Sequence, residues 1–208
     1  MPVTRACAVL PVLPADLPVL DACLEHLVAA ADECAAAGVP TVLVLAVSVG
    51  PAALRPVLDS WIPLVGLLDD VELTVAAHPG ARDREDLRRR TARELPAALP
   101  DPASTVVLTT TCDVGVGPDW IAEHVRHHRQ GARASTGPVA GLPGPHATTA
   151  NLALRADLLE LVPLDMDGPG SNGSGSDGVG SDGPGYPPLV HALTPAVSTL
   201  RVTLPAFP

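Results

Sequence analysis

TVVLTTTCDVGVGPDW, residues 105–120, is the stretch on which the fold of this chain turns. It begins as an apolar, β-branched run of the kind that packs on a pleated, buried surface. The run ends on Asp113, and Pro118, Asp119 and Trp120 then open a helical pattern. A strand running into a helix in this way delivers one carboxylate to a sheet edge. Ligands of open α/β sheets gather at the carboxyl ends of strands. Asp113 therefore reads equally well as a metal or phosphate partner, or as a turn residue hydrogen-bonding its own backbone.

Strand and helix patterns alternate on either side of this stretch. Residues 7–12 read as a short apolar strand, 18–37 as a helix stopped at Gly38, and TVLVLAVSV (41–49) as a buried strand of the parallel-sheet kind. A helix over 51–64, a strand over 71–77 (VELTVAA), an arginine-rich helix over 83–99, and the strand 105–110 follow. A further helix is expected over 118–130 and a strand over 132–138. This alternation predicts a three-layer α/β/α sandwich with a mainly parallel sheet.

Composition narrows the function classes. The 208 residues suffice for one domain with a real core. All 13 basic residues are arginine, against 23 acidic ones, for a net charge of −10 and a pI near 4.9. Binding of nucleic acid through a basic face is therefore not expected. Hydrophobic residues make up 47% and mean hydropathy is +0.28, yet no apolar run approaches the roughly 20 residues of a membrane span. No transmembrane segment is expected, and Pro11 and Pro14 interrupt the only stretch that resembles a leader. Cys7, Cys23, Cys34 and Cys112 lack the paired spacing of a zinc site or disulfide framework, which predicts a reduced, cytoplasmic protein with buried thiols. Cys112, next to Asp113, also reads as a candidate reactive thiol without a visible partner base.

Residues 165–185, DMDGPGSNGSGSDGVGSDGPG, are too rich in Gly and Ser to bury an apolar face. They are expected to be a flexible loop dividing an α/β domain, 1–164, from a C-terminal remnant of that domain, 186–208. Asp165 and Asp167 begin like a calcium loop, but Ser176 stands where such a loop needs a bidentate Glu.

The stretch 105–120 resembles the metal-binding segment of family 2 glycosyltransferases, T-D-A-D-x-x-x-x-P-x-W. Thr110, Cys112, Asp113, Pro118 and Trp120 fall on or close to that pattern, and Thr111 replaces its first Asp. Two more segments follow in the family's order: GARASTGPV (131–139) and TTANLALRADLLELV (148–162), the latter similar to G-A-N-L-A-x-R. The resemblance implies a GT-A fold, a nucleotide-diphosphate sugar as bound partner, and a divalent cation, Mn²⁺ or Mg²⁺, held through Asp113. Hard cations of this kind prefer carboxylate oxygen and would neutralise a departing diphosphate. Carried over residue by residue, it also implies Ser48, Arg90, Asn151 and Arg155 as substrate-binding residues, the last two placed on a helix start.

Other family positions are altered. In LAVSVGP (45–51), Ala46 and Gly50 stand where acids contact the nucleotide, and only Ser48 agrees. In GYPPLVHALTPAVSTL (185–200), Ala192 and Leu193 replace the Glu-Asp pair that supplies the general base, leaving His191 as the titratable side chain nearby and hence the candidate catalytic base. Two functions follow: a glycosyltransferase of weak or lost activity, or an inactive homologue serving as a binding or assembly partner. A nucleotidyltransferase on the same sandwich is a third reading, disfavoured by the lack of a Gly-rich loop with a Lys near the N-terminus.

Among alternative sites, Arg82, Arg88, Arg89 and Arg90 read either as nucleotide contacts or as a solvated helix face paired with Glu85 and Asp86. His124, His127 and His128 have helical spacing that would suit a metal, without an accompanying Glu.

Overall fold

The computed structural model describes residues 2–137 and 151–159, together with the backbone of 197–199. The elements run β1 (Arg5–Val12), α1 (Leu17–Ala36), β2 (Thr41–Val47), α2 (Pro51–Val65), β3 (Val71–Ala77), α3 (Arg84–Ala98), β4 (Thr105–Thr109), α4 (Trp120–Arg129), β5 (Ala134–Thr136), β6 (Leu152–Arg155) and β7 (Val197–Thr199). They form one sheet in the order β3-β2-β1-β4-β6-β5-β7. Among these strands only β6 runs against its neighbours, pairing antiparallel with both β4 and β5. The expected mainly parallel sandwich is the fold observed.

Side chains alternate between two cores, one on each face of the sheet. From β1, Ala6, Ala8, Leu10 and Val12 enter the first core, and Cys7 and Val9 the second. β2 divides in the same way, with Leu43, Leu45 and Val47 on one face and Val42, Val44 and Ala46 on the other. Its apolar run is continuous because both faces are covered. α1, α2 and α4 close the first core through residues such as Leu24, Leu54 and Ile121, and α3 closes the second through Leu87 and Leu95. β3 borders β2 alone and is half-exposed along its length.

The helix ends follow local chemistry. Gly38 takes φ +77°, which a side chain would resist, so that its N–H bonds Ala35 O and the Val39 N–H bonds Cys34 O. Asp83 caps α3 by accepting the Asp86 N–H at 2.8 Å. That cap sets where the arginine-rich helix begins, and thereby which arginines face the sheet edge.

One expectation is corrected. Residues 151–155 are a strand and its lead-in rather than a helix start, with only a single 3₁₀ turn, Ala156–Leu158, beyond. The apolar spacing of LALRADLL suits a helix, but the gap between β4 and β5 takes up backbone hydrogen bonds on both sides, and that tertiary pairing overrides local preference. The Gly/Ser loop over 165–185 lies outside the described residues.

Candidate functional site

β1 has β2 on one side and β4 on the other, so the chain reverses its lateral direction there, and the crevice at the carboxyl ends of β1 and β4 is the topological switch point of the sheet. Two acids frame it. Asp16 follows β1 and is buried; its Oδ2 accepts the Leu13 N–H at 2.9 Å. Asp113 lies in the turn after β4, with a side chain 53% exposed. Arg84, the first residue of α3, reaches both: its Nη2 donates to Asp16 Oδ1 and its Nη1 lies 3.8 Å from Asp113 Oδ2. Burial works against the Arg84 charge, but the hydrogen bond to Asp16 and the charge of Asp113 outweigh it and raise its pKa.

One turn further along α3, Arg88 donates from Nε to Thr109 Oγ1 at the end of β4, at 3.0 Å, and faces Glu85 at 3.5 Å. Burial lowers its pKa. The cluster is not saturated. Arg84 Nε, Arg88 Nη2 and the hydroxyls of Thr110 and Thr111 are buried without a hydrogen-bond partner among the described residues. Native structures satisfy nearly all such groups, and each one left alone costs about 1–3 kcal/mol.

The remaining candidates are distributed unevenly. Ser48 follows β2 on the same edge, half-buried, its N–H bonding Val12 O. Arg90 is engaged on its own helix, donating from Nε and Nη2 to the two Asp86 oxygens at 3.1 and 3.0 Å. Asn151 immediately precedes β6, at the carboxyl edge of β4, because Leu152 pairs with Thr109. Arg155 ends the same strand opposite Val106, at the other edge, and borders a cavity of about 610 Å³ lined also by Arg129 and Arg133. Asn151 and Arg155 therefore do not share a site. His191 lies outside the described residues.

Asn151 is fully buried. Its Oδ1 accepts from Trp120 Nε1 at 2.9 Å and lies 2.8 Å from His124 Nε2; His124 Nδ1 in turn lies 2.6 Å from Ser135 Oγ, and His128 Nε2 lies 3.2 Å from that same oxygen. Burial pushes both His124 and His128 down to about 4, so they are neutral at pH 7. His127 instead contacts Arg126 at the surface. The histidine spacing that suggested a metal site is thus split between interior and surface. Cys112 is buried as well; a hydrogen bond with Cys23 and then burial push its pKa up, leaving an unreactive thiol.

Among the described residues the donor set is incomplete for a resident divalent cation. Such ions take about six oxygen ligands and favour carboxylates. Here Asp113 has a guanidinium 3.8 Å away, Asp16 is committed to Arg84 and Leu13, and no three His, Cys, Asp or Glu side chains come together among the described residues. Sequence reasoning passed over Arg84. Its signal was available in the i, i+4 spacing from Arg88 and its place just after a capping Asp, at the helix end nearest the strand termini.

No protein-family model matches the sequence, and no curated protein matches it. Solved structures do. A mannosyltransferase from Pyrobaculum calidifontis, solved in complex with GDP-Man and Mn²⁺, superposes with a TM-score of 0.57 at 14% identity over 100% of this chain, which spans 59% of that protein. A 4-diphosphocytidyl-2C-methyl-D-erythritol synthase from Anaerococcus prevotii gives 0.50 at 14% identity, over 96% of this chain and 87% of the other. The chain has the GT-A-like fold of nucleotide-diphospho-sugar transferases. These two neighbours perform different reactions on one framework, so chemistry has to be argued from the site.

Proposed function

We propose that this protein binds a nucleotide-diphosphate sugar at the carboxyl edge of β1, β2 and β4, as a glycosyltransferase-like protein whose transfer activity is weak or lost. One observation carries the reading: four buried donors without partners among the described residues, on Arg84, Arg88, Thr110 and Thr111, in the two segments that frame the switch point. An oxygen-rich anion is the ligand that satisfies such donors, and paired arginines recognise phosphate oxygens with fixed geometry. In this reading Arg84 and Arg88 supply the positive charge for the diphosphate, Ser48 lies towards the nucleotide, and Asn151 faces the sugar. The cation implied by the family resemblance is not carried forward.

Transfer to an acceptor hydroxyl needs a base, worth about 10²–10⁴-fold in rate. Ala192 and Leu193 accept no proton, and His191 is the side chain of that segment that can. The inactive homologue is favoured by those two residues and by the tie between Asp113 and Arg84. Calorimetry with UDP- and GDP-sugars, in EDTA and again in Mn²⁺, tests the proposal. Binding that persists in EDTA and is lost in Arg88→Gln is the expected result; no binding under either condition refutes it.

A further inference from the structure

We infer that Trp120, His124 and Ser135 are positioning residues which fix the carboxamide of Asn151, so that its NH₂ group is presented as a preformed donor to the sugar of the ligand. The inference rests on the nucleotide-sugar reading above and adds to it the device that orients one contact. Trp120 Nε1–H can only donate, so the atom it meets at 2.9 Å must be the amide oxygen of Asn151. That assignment propagates. His124 Nε2 lies 2.8 Å from the same oxygen and must therefore carry the proton, which leaves Nδ1 of the neutral ring as an acceptor. The Ser135 hydroxyl then donates to Nδ1 at 2.6 Å, and its oxygen faces His128 Nε2 at 3.2 Å. An obligate donor at one end thus sets the tautomer of a histidine and the flip of an amide, neither of which is otherwise determined.

The consequence lies at the other end of that amide. With Oδ1 saturated by two donors, Nδ2 is buried and has no partner among the described residues. It sits immediately before β6, on the edge where Thr109 ends β4. A fully buried NH₂ group held in one orientation rejects a ligand lacking an acceptor there, because that ligand leaves the donor unpaired. The partner chemistry is a sugar hydroxyl or ether oxygen. Phosphates are served by the arginines on the opposite face of the same edge.

Binding of nucleoside diphosphate alone and of the matching nucleotide-sugar, measured by calorimetry on the full chain, separates the two roles. His124→Phe keeps an aromatic ring, slightly larger than imidazole, but removes the donor. It is expected to weaken nucleotide-sugar binding about tenfold, the worth of one well-placed hydrogen bond, while leaving the diphosphate within about twofold. His124→Gln, which retains an N–H donor, should recover most of the loss. Trp120→Phe, which removes the other donor to Oδ1, gives the same pattern should His124→Phe fail to fold. Nitrogen NMR of the wild type should show His124 protonated at Nε2. An Nδ1-protonated ring, or equal losses for both ligands, overturns the inference and leaves the nucleotide-sugar reading standing. A wild type that binds neither ligand removes that reading, and with it the role assigned to Asn151.

Discussion

Two polar clusters meet at the carboxyl edge of the sheet, and they are built on opposite principles. On the α3 side, Asp16, Arg84, Arg88 and Asp113 are charged and partly open to water, with donors left over. On the α4 side, Trp120, His124, Ser135 and Asn151 are neutral, dry and joined in one directional chain. The first holds charge where a charged ligand can meet it; the second holds orientation where water cannot disturb it. Charge acts at a distance and tolerates loose geometry, whereas a hydrogen-bond donor must be aimed. In the proposed site, attraction and selection would thus be divided between the two faces of one sheet edge.

Acid should distinguish the two clusters most sharply. Both buried histidines have folded pKa values near 4, below the ordinary 6.5, so between those limits the unfolded chain binds more protons than the folded one. Their contribution to stability is intact above pH 6.5 and is lost as the pH falls to about 4, each histidine costing on the order of 3 kcal/mol. Urea midpoints should fall steeply across this window and flatten in a variant with both histidines replaced by apolar rings. The α3 side answers lower. Arg90 holds the Asp86 carboxyl below its usual range, so that contribution is present above an ordinary carboxylate pKa and fades only in stronger acid.

A smaller effect is expected from charge removal. Arg84→Gln leaves buried Asp16 with the Leu13 N–H alone and should cost about 1–2 kcal/mol of stability, while weakening diphosphate binding at least tenfold. Stability and binding would be read on the same preparation by urea melts and calorimetry. If the binding is untouched, the division of labour between the two clusters is wrong. Smaller again is Thr111→Asp, which adds a second carboxylate near Asp113. It should create a several-fold dependence on Mn²⁺ that the wild type lacks. Arg126→Ala, on the exposed face of α4 and in contact with Glu123 and His127 of its own helix, should leave the urea midpoint where it was.

Much of the framework could be read from the chain because its signals are local. The run TVLVLAVSV announced a strand covered on both faces, which ends two residues earlier, at Val47, and VELTVAA is β3 to the residue. The antiparallel β6 could not be read in this way, since its conformation is imposed by β4 and β5 on either side of it. The site divides along the same line. Asp113 and Ser48 follow strands, so their edge was legible. Arg84 meets Asp16 across 68 residues, and His124 meets Asn151 across 27, contacts that no spacing rule reveals. The helical spacing of the histidines pointed towards a metal because only the partners brought in by β5 and β6 distinguish a ligand set from a hydrogen-bond chain.

The four cysteines are all buried as free thiols, with Cys7 pushed up to about 12 by burial alone and Cys34 also raised by burial. Alkylating reagents must reach the sulfur, so burial keeps all four from reacting while the chain is closed. Cys7 lies in β1 at the centre of the sheet, Cys23 and Cys34 on α1, and Cys112 beyond β4. The protein therefore carries its own stopwatch. The order in which the four positions become labelled under native conditions records which parts of the molecule open first, with no foreign probe introduced.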